Sequence, residues 1–322
     1  MAIMWVITGG AGFIGSALLW KLNEEGISDM LIVDRLESDE KWKNLRGRRF
    51  TDYLEADDFL ERLQAGRLPY IDGIVHMGAC SSTTETNASF LIKNNFEYTK
   101  ALAQWALAKK KRFVYASSAA TYGDGRFGYT TDAATTQKLR PLNIYGYSKQ
   151  LFDQWAMQRG VLKKLVGIKF FNVYGPNEYH KYDMRSLAAK AFDQVHKEGR
   201  IRLFKSYKAE YQDGEQQRDF LYVKDAVNVV YEFMTNRKYG GLYNLGSGKA
   251  RSWNQLASAL FTAMNRPIKI DYVEMPVSIR SKYQYHTQAD MSWRKSGKPF
   301  MTLEEGIKDY VQNYLSKENP YL

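Results

Sequence analysis

The start of the sequence places a short apolar run directly before a cluster of glycines. Residues 4–8 (MWVIT) are rich in β-branched and aromatic side chains, and residues 13–22 have the spacing of an amphipathic helix. Between them lie Gly9 and Gly12, and Gly15 falls in the first turn of that helix. In a strand–turn–helix unit such glycines permit the tight turn, the approach of backbone to a pyrophosphate, and close helix–strand packing. The spacing therefore predicts a dinucleotide-binding turn, which limits the chain to a few α/β architectures.

Strand-like and helix-like runs alternate along the first half of the chain. Further apolar runs at residues 30–34, 72–79, 112–116 and 166–170 are separated by helical patterns, one of them from Asn94 to Lys109. This alternation predicts an α/β fold, a Rossmann doubly wound parallel sheet with a smaller C-terminal α/β substrate domain. We expect residues 1–172 to form the cofactor-binding domain, elements near 220–247 to return to it, and residues 173–322 to form the substrate-binding domain.

The second predicted strand ends on an acidic residue where a ribose-binding carboxylate is expected. Asp34 lies about 20 residues beyond the glycine turn, as in dinucleotide-binding domains. Asp34 alone would favour NAD, because its carboxylate would bind the ribose 2′-hydroxyl. Arg35 and Lys41 follow it, and a cation there can meet a 2′-phosphate. Both cofactors stay open on these residues, and the two cations favour NADP.

A tyrosine and a lysine four residues apart are the candidate proton-transfer groups. Tyr145 and Lys149 lie one helical turn apart on one face, so an ammonium at Lys149 would lower the pKa of the Tyr145 phenol. A phenol of this kind can accept a proton from a substrate alcohol. The preceding strand ends at Ser118 and the next at Asn172, and strand ends of a parallel sheet meet at one crevice. We therefore expect Ser118, Tyr145 and Lys149 to form one constellation.

Charge and composition narrow the classes of partner. The net charge of +11 admits anionic ligands, yet Lys and Arg are spread along the chain without a nucleic-acid-binding module. No apolar run reaches the ~20 residues of a membrane span, and no signal peptide or metal site is predicted. The single cysteine, Cys80, is typical of a reducing compartment, so we expect a cytoplasmic protein without nucleic-acid or membrane partners.

Taken together, these motifs resemble those of the extended short-chain dehydrogenase/reductase family, which includes NAD-dependent epimerases and dehydratases. The resemblance covers nearly the whole chain and rests on residues 8–15 (TGGAGFIG), Asp34, 117–123 (SSAATYG), Tyr145 with Lys149, 172–176 (NVYGP) and 218–225 (RDFLYVKD). Within that family, the stretches 78–85 (GACSSTTE), 116–123 (ASSAATYG), 141–149 (PLNIYGYSK) and 171–176 (FNVYGP) are most similar to members that epimerise a nucleotide-activated sugar with tightly bound NADP. It implies a nucleotide-sugar substrate and, in the manner of those members, a pentameric homo-oligomer.

The resemblance also implies roles for individual residues. Tyr145 and Lys181 would be the two acid/base groups on opposite faces of the substrate, assisted by Ser118 and Lys149. The residues implied in cofactor binding are Gly9, Gly12, Phe13, Ile14, Gly15, Asp34, Arg35, Lys41, Met77, Gly78, Ala79, Ser81, Asn94, Lys149 and Val173. Those implied in substrate binding are Ser118, Asn172, Asp183, Lys190, Phe204, Ser206, Arg218 and Tyr283.

The chain departs from the family's sequence pattern at three places, and three alternative functions bear on this interpretation. Where the family usually has Gly-Ser the chain has Tyr182 and Asp183, Lys190 replaces a histidine, and residues 205–217 form a longer segment. A dehydratase would need a carboxylic acid/base pair where this chain has Ala119 and Ala120. A 4-epimerase of another nucleotide sugar and a non-enzymatic cofactor sensor remain as the other hypotheses.

Overall fold

The computed structural model describes residues 4–280 and 283–322. The described residues form twelve strands, numbered β1 to β12 in chain order: Trp5–Thr8, Met30–Asp34, Asp52–Glu55, Gly73–His76, Arg112–Ser118, Val166–Phe170, Asn172–Tyr174, Ile201–Phe204, Gln217–Tyr222, Gly241–Leu245, Ala250–Ser252 and Ile270–Val273. The α-helices, α1 to α11, are Phe13–Glu24, Ala56–Gln64, Ala88–Leu91, Tyr98–Ala108, Ala133–Lys138, Ile144–Gln158, Leu187–Glu198, Val223–Thr235, Trp253–Ala263, Val277–Arg280 and Leu303–Tyr310.

Seven parallel strands build the central sheet. Their order is β10-β6-β5-β4-β1-β2-β3, so the chain reverses its direction of travel across the sheet between β1 and β4. Three of these strands, β1, β4 and β6, are wholly buried, as is the start of β5, because helices cover both faces. This is the doubly wound Rossmann fold predicted from the alternation of strands and helices. Its ligand crevice lies at the carboxyl ends of the strands, at the reversal.

The second α-helix after β5, α6, carries the Tyr145 and Lys149 pair. It begins after Asn143, whose side-chain oxygen accepts a hydrogen bond from the Gly146 N–H at 2.8 Å. This cap satisfies one of the free N–H groups at the helix start. Lys149 and Phe152 are among the side chains that α6 buries toward the sheet. The amino-terminal turn of α6 is thereby fixed beside the end of β5.

Two further groups of strands lie outside the central sheet. A three-stranded sheet has the order β11-β9-β7, and β8 pairs with β12. The helices α7, α9 and α11 share an apolar core with these strands. The start of α9 is fixed by a capping box in which Ser252 and Gln255 exchange hydrogen bonds with each other's backbone N–H. These elements form one wall of the crevice.

Two sequence expectations differ from the observed elements. Of the segment near 220–247, α8 packs against α1 and β10 joins the central sheet, but β9 pairs with β7 and β11 instead. The predicted helix opening at Asn94 begins earlier, at Ala88 after the Asn87 cap, and Asn94 lies in a π-helical turn. For β9, pairing with distant strands decides the sheet. For the helix, the cap at Asn87 sets an earlier start than the local pattern indicates. Across the part of the chain that the structure describes, no helix is both long and apolar enough to cross a membrane.

Candidate active site

One large cavity opens at the carboxyl ends of the central strands. Its volume is about 960 Å³, and its lining reaches from the glycine turn after β1 to the strand pair β8–β12. A smaller cavity of about 250 Å³ adjoins it beside β2 and α4. Together they give an elongated crevice at the reversal of strand order, where this fold binds ligands.

Two of the three glycines in the turn have no room for a side chain. Gly9 adopts φ +67°, and a Cβ there would lie 2.4 Å from the Gly78 nitrogen. A Cβ on Gly15 would lie 2.0 Å from the Gly9 oxygen, whereas one on Gly12 would meet only that oxygen, at 3.2 Å. Within residues 4–280 and 283–322, no side chain caps the first N–H groups of α1, which lie at the cavity edge. An N-terminus of this kind fits the pyrophosphate of a dinucleotide.

Asp34 is held at the end of β2 next to this turn. Its carboxylate accepts hydrogen bonds from the Ala11 N–H at 2.9 Å and the Arg35 N–H at 2.8 Å. The Lys41 ammonium lies 3.2 Å from the same carboxylate. The Arg35 guanidinium instead forms a bidentate pair with Asp57. Lys41 is therefore the cation that directly accompanies Asp34, while the fork of Arg35 is occupied.

The remaining residues implied in cofactor binding follow the crevice. The large cavity is lined by Gly9, Gly12, Phe13, Ile14, Gly15, Asp34, Lys41, Met77, Gly78, Ala79, Ser81, Lys149 and Val173. Arg35 and Asn94 line the smaller cavity. All of the implied cofactor residues therefore lie along one crevice.

Ser118, Tyr145 and Lys149 line the same cavity. The Lys149 ammonium is buried and donates to the Ala116 carbonyl at 2.8 Å. Burial lowers the pKa of Lys149 to about 8. Burial raises the pKa of Tyr145, and its hydrogen bond with Ser118 acts in the opposite direction. The expected direction for Tyr145 is thus reversed, because removal of the phenol from water outweighs any effect of Lys149 in this structure.

Lys181 lies on another wall of this cavity, on a 3-10 turn at Tyr179–Met184. Its ammonium is 5.5 Å from the centre of the Phe13 ring, and burial lowers its pKa. Glu178 fixes the turn, because its carboxylate accepts hydrogen bonds from the Gly175 and Ser186 N–H groups. Two groups able to transfer protons, Tyr145 and Lys181, thus reach one cavity from different elements.

The residues implied in substrate binding divide into two sets. Ser118, Asn172, Lys190, Phe204 and Tyr283 line the cavity. Asp183, Ser206 and Arg218 do not. The Asp183 side chain is exposed, and the Asp183 carbonyl accepts a hydrogen bond from Lys190. Ser206 lies in the longer segment, where its N–H donates to the Asp213 carboxylate at 2.7 Å.

Arg218 lies just behind the cavity wall. Its guanidinium is 5.6 Å from the Trp253 ring and 5.0 Å from the Tyr283 ring, and both rings line the cavity. The side chain is only 6% exposed, and it donates to the Gln217 carbonyl at 2.8 Å. Among the described residues no carboxylate forms an ion pair with it. A buried cation without an acidic partner is costly, so this position suits an anionic ligand.

Sequence reasoning missed three residues that support the site. Glu178 anchors the Lys181 turn, and a buried ion pair of Asp153 and Lys169 lies behind Lys149. Asp153 follows Lys149 by four residues on α6, and Lys169 is the charged residue in the apolar strand β6. These two sequence positions could have indicated that both charges are buried near Lys149. Glu178 has no comparable local signal.

Comparison with known proteins gives consistent matches along the chain. The NAD dependent epimerase/dehydratase family matches residues 5–246. Two curated relatives, from Nitratidesulfovibrio vulgaris (strain DP4) and Fusobacterium nucleatum subsp. nucleatum, are 52% and 48% identical to this chain. Each alignment covers 99% of this chain and 100% of the relative, and both relatives are named ADP-L-glycero-D-manno-heptose-6-epimerase. The crystal structure of the Helicobacter pylori protein of that name superposes with a TM-score of 0.81 at 28% identity, over 97% of this chain and 96% of that one.

Proposed function

Since the chain belongs to the NAD dependent epimerase/dehydratase family, we propose that it is a nucleotide-sugar epimerase that interconverts ADP-D-glycero-D-manno-heptose and ADP-L-glycero-D-manno-heptose. The reaction inverts C6 by transient oxidation, with NADP as the cofactor, and serves the heptose of the lipopolysaccharide core. One observation carries the proposal. Tyr145 and Lys181, from different elements, line the same cavity as the glycine turn.

The residues at the turn fit a nicotinamide dinucleotide. The open start of α1 at Gly12 and Phe13 would hold the pyrophosphate, and Asp34 would hold a ribose. When bound, the nicotinamide supplies the reversible oxidation of a carbinol carbon. Lys41, 3.2 Å from the Asp34 carboxylate, favours NADP because an ammonium there could meet a 2′-phosphate. Extraction of the bound cofactor and enzymatic assay would distinguish NADP from NAD.

Proton transfer would be shared between the two walls of the cavity. One of Tyr145 and Lys181 would accept the proton of the C6 hydroxyl as the carbon is oxidised. After the carbonyl carbon turns its other face, the second group would return a proton to the oxygen. Two separate groups serve the two geometries better than one, because a proton-transfer group must lie within hydrogen-bond reach of the oxygen. Burial lowers the pKa of Lys181, which makes its ammonium a better proton donor.

The diphosphate of the substrate would lie near Arg218. Its buried guanidinium has no carboxylate partner in the described chain, and an Arg fork can bind phosphate oxygens bidentately. Lys190 and Arg202 line the cavity itself, but Lys190 donates to the Asp183 carbonyl and Arg202 pairs with Glu198. Lys205 and Arg280, further cations of this region, both pair with Glu274. Arg218 is therefore the cation best placed for this role.

The test is incubation of the purified protein with ADP-D-glycero-D-manno-heptose, followed by NMR of the C6 epimers. Wild type should invert C6, and Tyr145→Phe and Lys181→Met should each lose at least 100-fold in rate, the low end of general acid–base contributions of about 10²–10⁴. Two matched controls, Tyr147→Phe on the exposed side of α6 and Lys197→Met on α7, should retain wild-type rates.

The outcomes separate the parts of the proposal. Inversion that survives Lys181→Met would keep the epimerase and remove Lys181 from its role. An enzyme that binds the cofactor but inverts only other nucleotide sugars would instead support a 4-epimerase. Bound cofactor with no turnover of any sugar would support a cofactor sensor. The homo-oligomeric state, the cytoplasmic location and the division at residue 172 also remain proposals, the first of which sedimentation would test.

A further inference from the structure

Behind the wall that carries Lys149 lies a fully buried ion pair. Asp153 and Lys169 each have 0% side-chain exposure, and the Lys169 ammonium lies 3.7 Å from the Asp153 carboxylate. Asp153 belongs to α6, one turn after Lys149, whereas Lys169 belongs to the central strand β6. Burying two charges costs several kcal/mol each before their attraction is counted. The proposed mechanism gives neither of them a task, so the pair needs an explanation.

The pair is tied to the strand end that carries the site. The Asp153 carboxylate accepts hydrogen bonds from the Tyr115 hydroxyl at 2.9 Å and the Ser117 hydroxyl at 2.7 Å. The Lys169 ammonium donates to the Thr121 hydroxyl at 2.8 Å, and that hydroxyl donates to the Ser118 carbonyl at 2.8 Å. Both charges therefore connect to the residues that end β5.

Asp153 is the buried negative charge close to two buried ammonium groups. It pairs with Lys169 and lies one turn after Lys149 on α6. Lys149 donates to the Ala116 carbonyl, and Asp153 accepts from the adjacent Ser117 hydroxyl. Buried ammonium groups without a counter-charge lose their protons. Burial raises the pKa of the Asp153 carboxyl, and Lys169 and the two hydroxyls act in the opposite direction. Lys169 therefore favours the ionised form of Asp153, and ionised Asp153 in turn favours the protonated form of Lys149.

We propose that Asp153, kept ionised by Lys169, is the positioning counter-charge that keeps Lys149 protonated beside Tyr145. This inference rests on the proposed role of Lys149, because only a protonated Lys149 can stabilise a tyrosinate. The pair does not contact the cavity, since neither residue lines it.

The other titratable groups near Lys149 do not interfere with measurement of its pKa. Besides Asp153, the groups that face it are His76 of β4, Cys80 of the following loop and Tyr145 of its own helix. Burial lowers the pKa of His76 to about 3, so this ring stays neutral above pH 5. The pKa of Tyr145 lies above its ordinary value near 10. A Cys80→Ala background removes the remaining group.

The variants are chosen so that loss of folding does not obscure the result. Asp153→Asn alone leaves Lys169 buried without a partner, which is strongly destabilising. The double variant Asp153→Asn/Lys169→Met replaces the pair by neutral side chains of similar volume, and such replacements are often tolerated. Phe152→Leu is the matched control, because it loosens the same buried face of α6 without changing any charge.

The first readout is the pKa of Lys149, measured by NMR of protein labelled with ¹³C at lysine Cε and assigned with Lys149→Arg. Wild type should titrate near the pKa of about 8. The double variant should titrate at lower pH than wild type, because the charge of Asp153 raises the pKa of Lys149. Lys169→Met alone should also lower the pKa of Lys149, because loss of the Lys169 charge allows Asp153 to become protonated. Phe152→Leu should titrate as wild type does.

The second readout is the pH profile of epimerisation, whose basic limb should move down by the same amount in the double variant. A double variant in which Lys149 titrates as in wild type would overturn the proposal, whatever its activity. If wild type lacked epimerase activity, the Lys149 titration would still test the pair. Failure of the pair and failure of the proposed function are therefore distinguishable.

Discussion

Substitution of Gly15 by alanine tests the glycine turn most sharply. The added Cβ would lie 2.0 Å from the Gly9 oxygen and 2.7 Å from the Gly9 carbonyl carbon. An ordinary contact requires about 3.5 Å, so the turn must open on the order of 1.5 Å or α1 must shift away. Overpacking of this kind typically costs about 1–3 kcal/mol. We expect Gly15→Ala to lower the free energy of unfolding by that amount even when no cofactor is bound.

Gly12 in the same turn provides the matched control. A Cβ there would meet only the Gly9 oxygen, at 3.2 Å, and the backbone at φ −72° accepts alanine. The cost in stability should stay below about 1 kcal/mol, the order of an N-cap substitution. Its Cβ would instead obstruct the approach of a pyrophosphate to α1. Gly12→Ala should therefore fold as wild type does but retain little dinucleotide.

The assay is urea unfolding of both variants and wild type after removal of bound cofactor, combined with extraction and quantification of nicotinamide from untreated samples. Gly15→Ala with wild-type stability would refute the packing reasoning, because the folded turn leaves no space for its Cβ. Gly12→Ala with a full complement of cofactor would refute the assignment of the pyrophosphate to this turn.

Two further perturbations test the electrostatics of the fold. Arg218→Met should raise the KM for the nucleotide sugar at least about tenfold, because a charge-assisted hydrogen bond is worth about 1.5–3 kcal/mol. The control Arg200→Met should leave the KM unchanged, because the Arg200 side chain is exposed and pairs with Asp271. Equal KM values in steady-state kinetics would contradict the phosphate role. His76 has a pKa of about 3 in the fold and 6.5 unfolded, so the unfolded chain binds more protons between these values. Stability should therefore fall by up to about 1.4 kcal/mol per pH unit as pH drops from 6.5, and His76→Gln should flatten that slope in urea titrations at pH 7.5, 6 and 5.

The parts of the fold that the sequence predicts are those set by local pattern. The strands Met30–Asp34 and Val166–Phe170 have the predicted bounds, because short apolar β-branched runs between polar turns specify a buried strand locally. The glycine turn was predictable for a similar reason, since its spacing encodes close backbone packing within fifteen residues. The gathering of Ser118 and Tyr145 at one crevice follows from parallel topology.

The parts that could not be predicted depend on contacts between distant segments. β9 contains an apolar run like those of the central sheet, yet it pairs with β7 and β11, and only tertiary structure decides between the two sheets. Glu178 orders the Lys181 turn by bonding to Ser186 and to Tyr310, 132 residues away. Long-range polar contacts of this kind leave no periodic pattern in a sequence.

The direction of the Tyr145 pKa was wrong for a related reason. The four-residue spacing gives the proximity of Lys149 but not the burial of either side chain, and burial is the larger effect. The sequence positions of Asp153 and Lys169 mark each as a buried charge, but they do not show that the two pair, because strand β6 and helix α6 meet only in the folded chain. Sequence spacing therefore locates chemical groups better than it predicts their charge states.

The most direct measurement of the proposed reaction is epimerisation of ADP-D-glycero-D-manno-heptose in D₂O, followed by NMR and mass spectrometry of the product. Transient oxidation returns the same hydrogen to C6, so the account predicts an inverted C6 that still carries protium. An inverted centre that carries deuterium would show exchange of its proton with solvent and would contradict the redox mechanism. Absence of inversion in cofactor-loaded protein would contradict the proposed substrate.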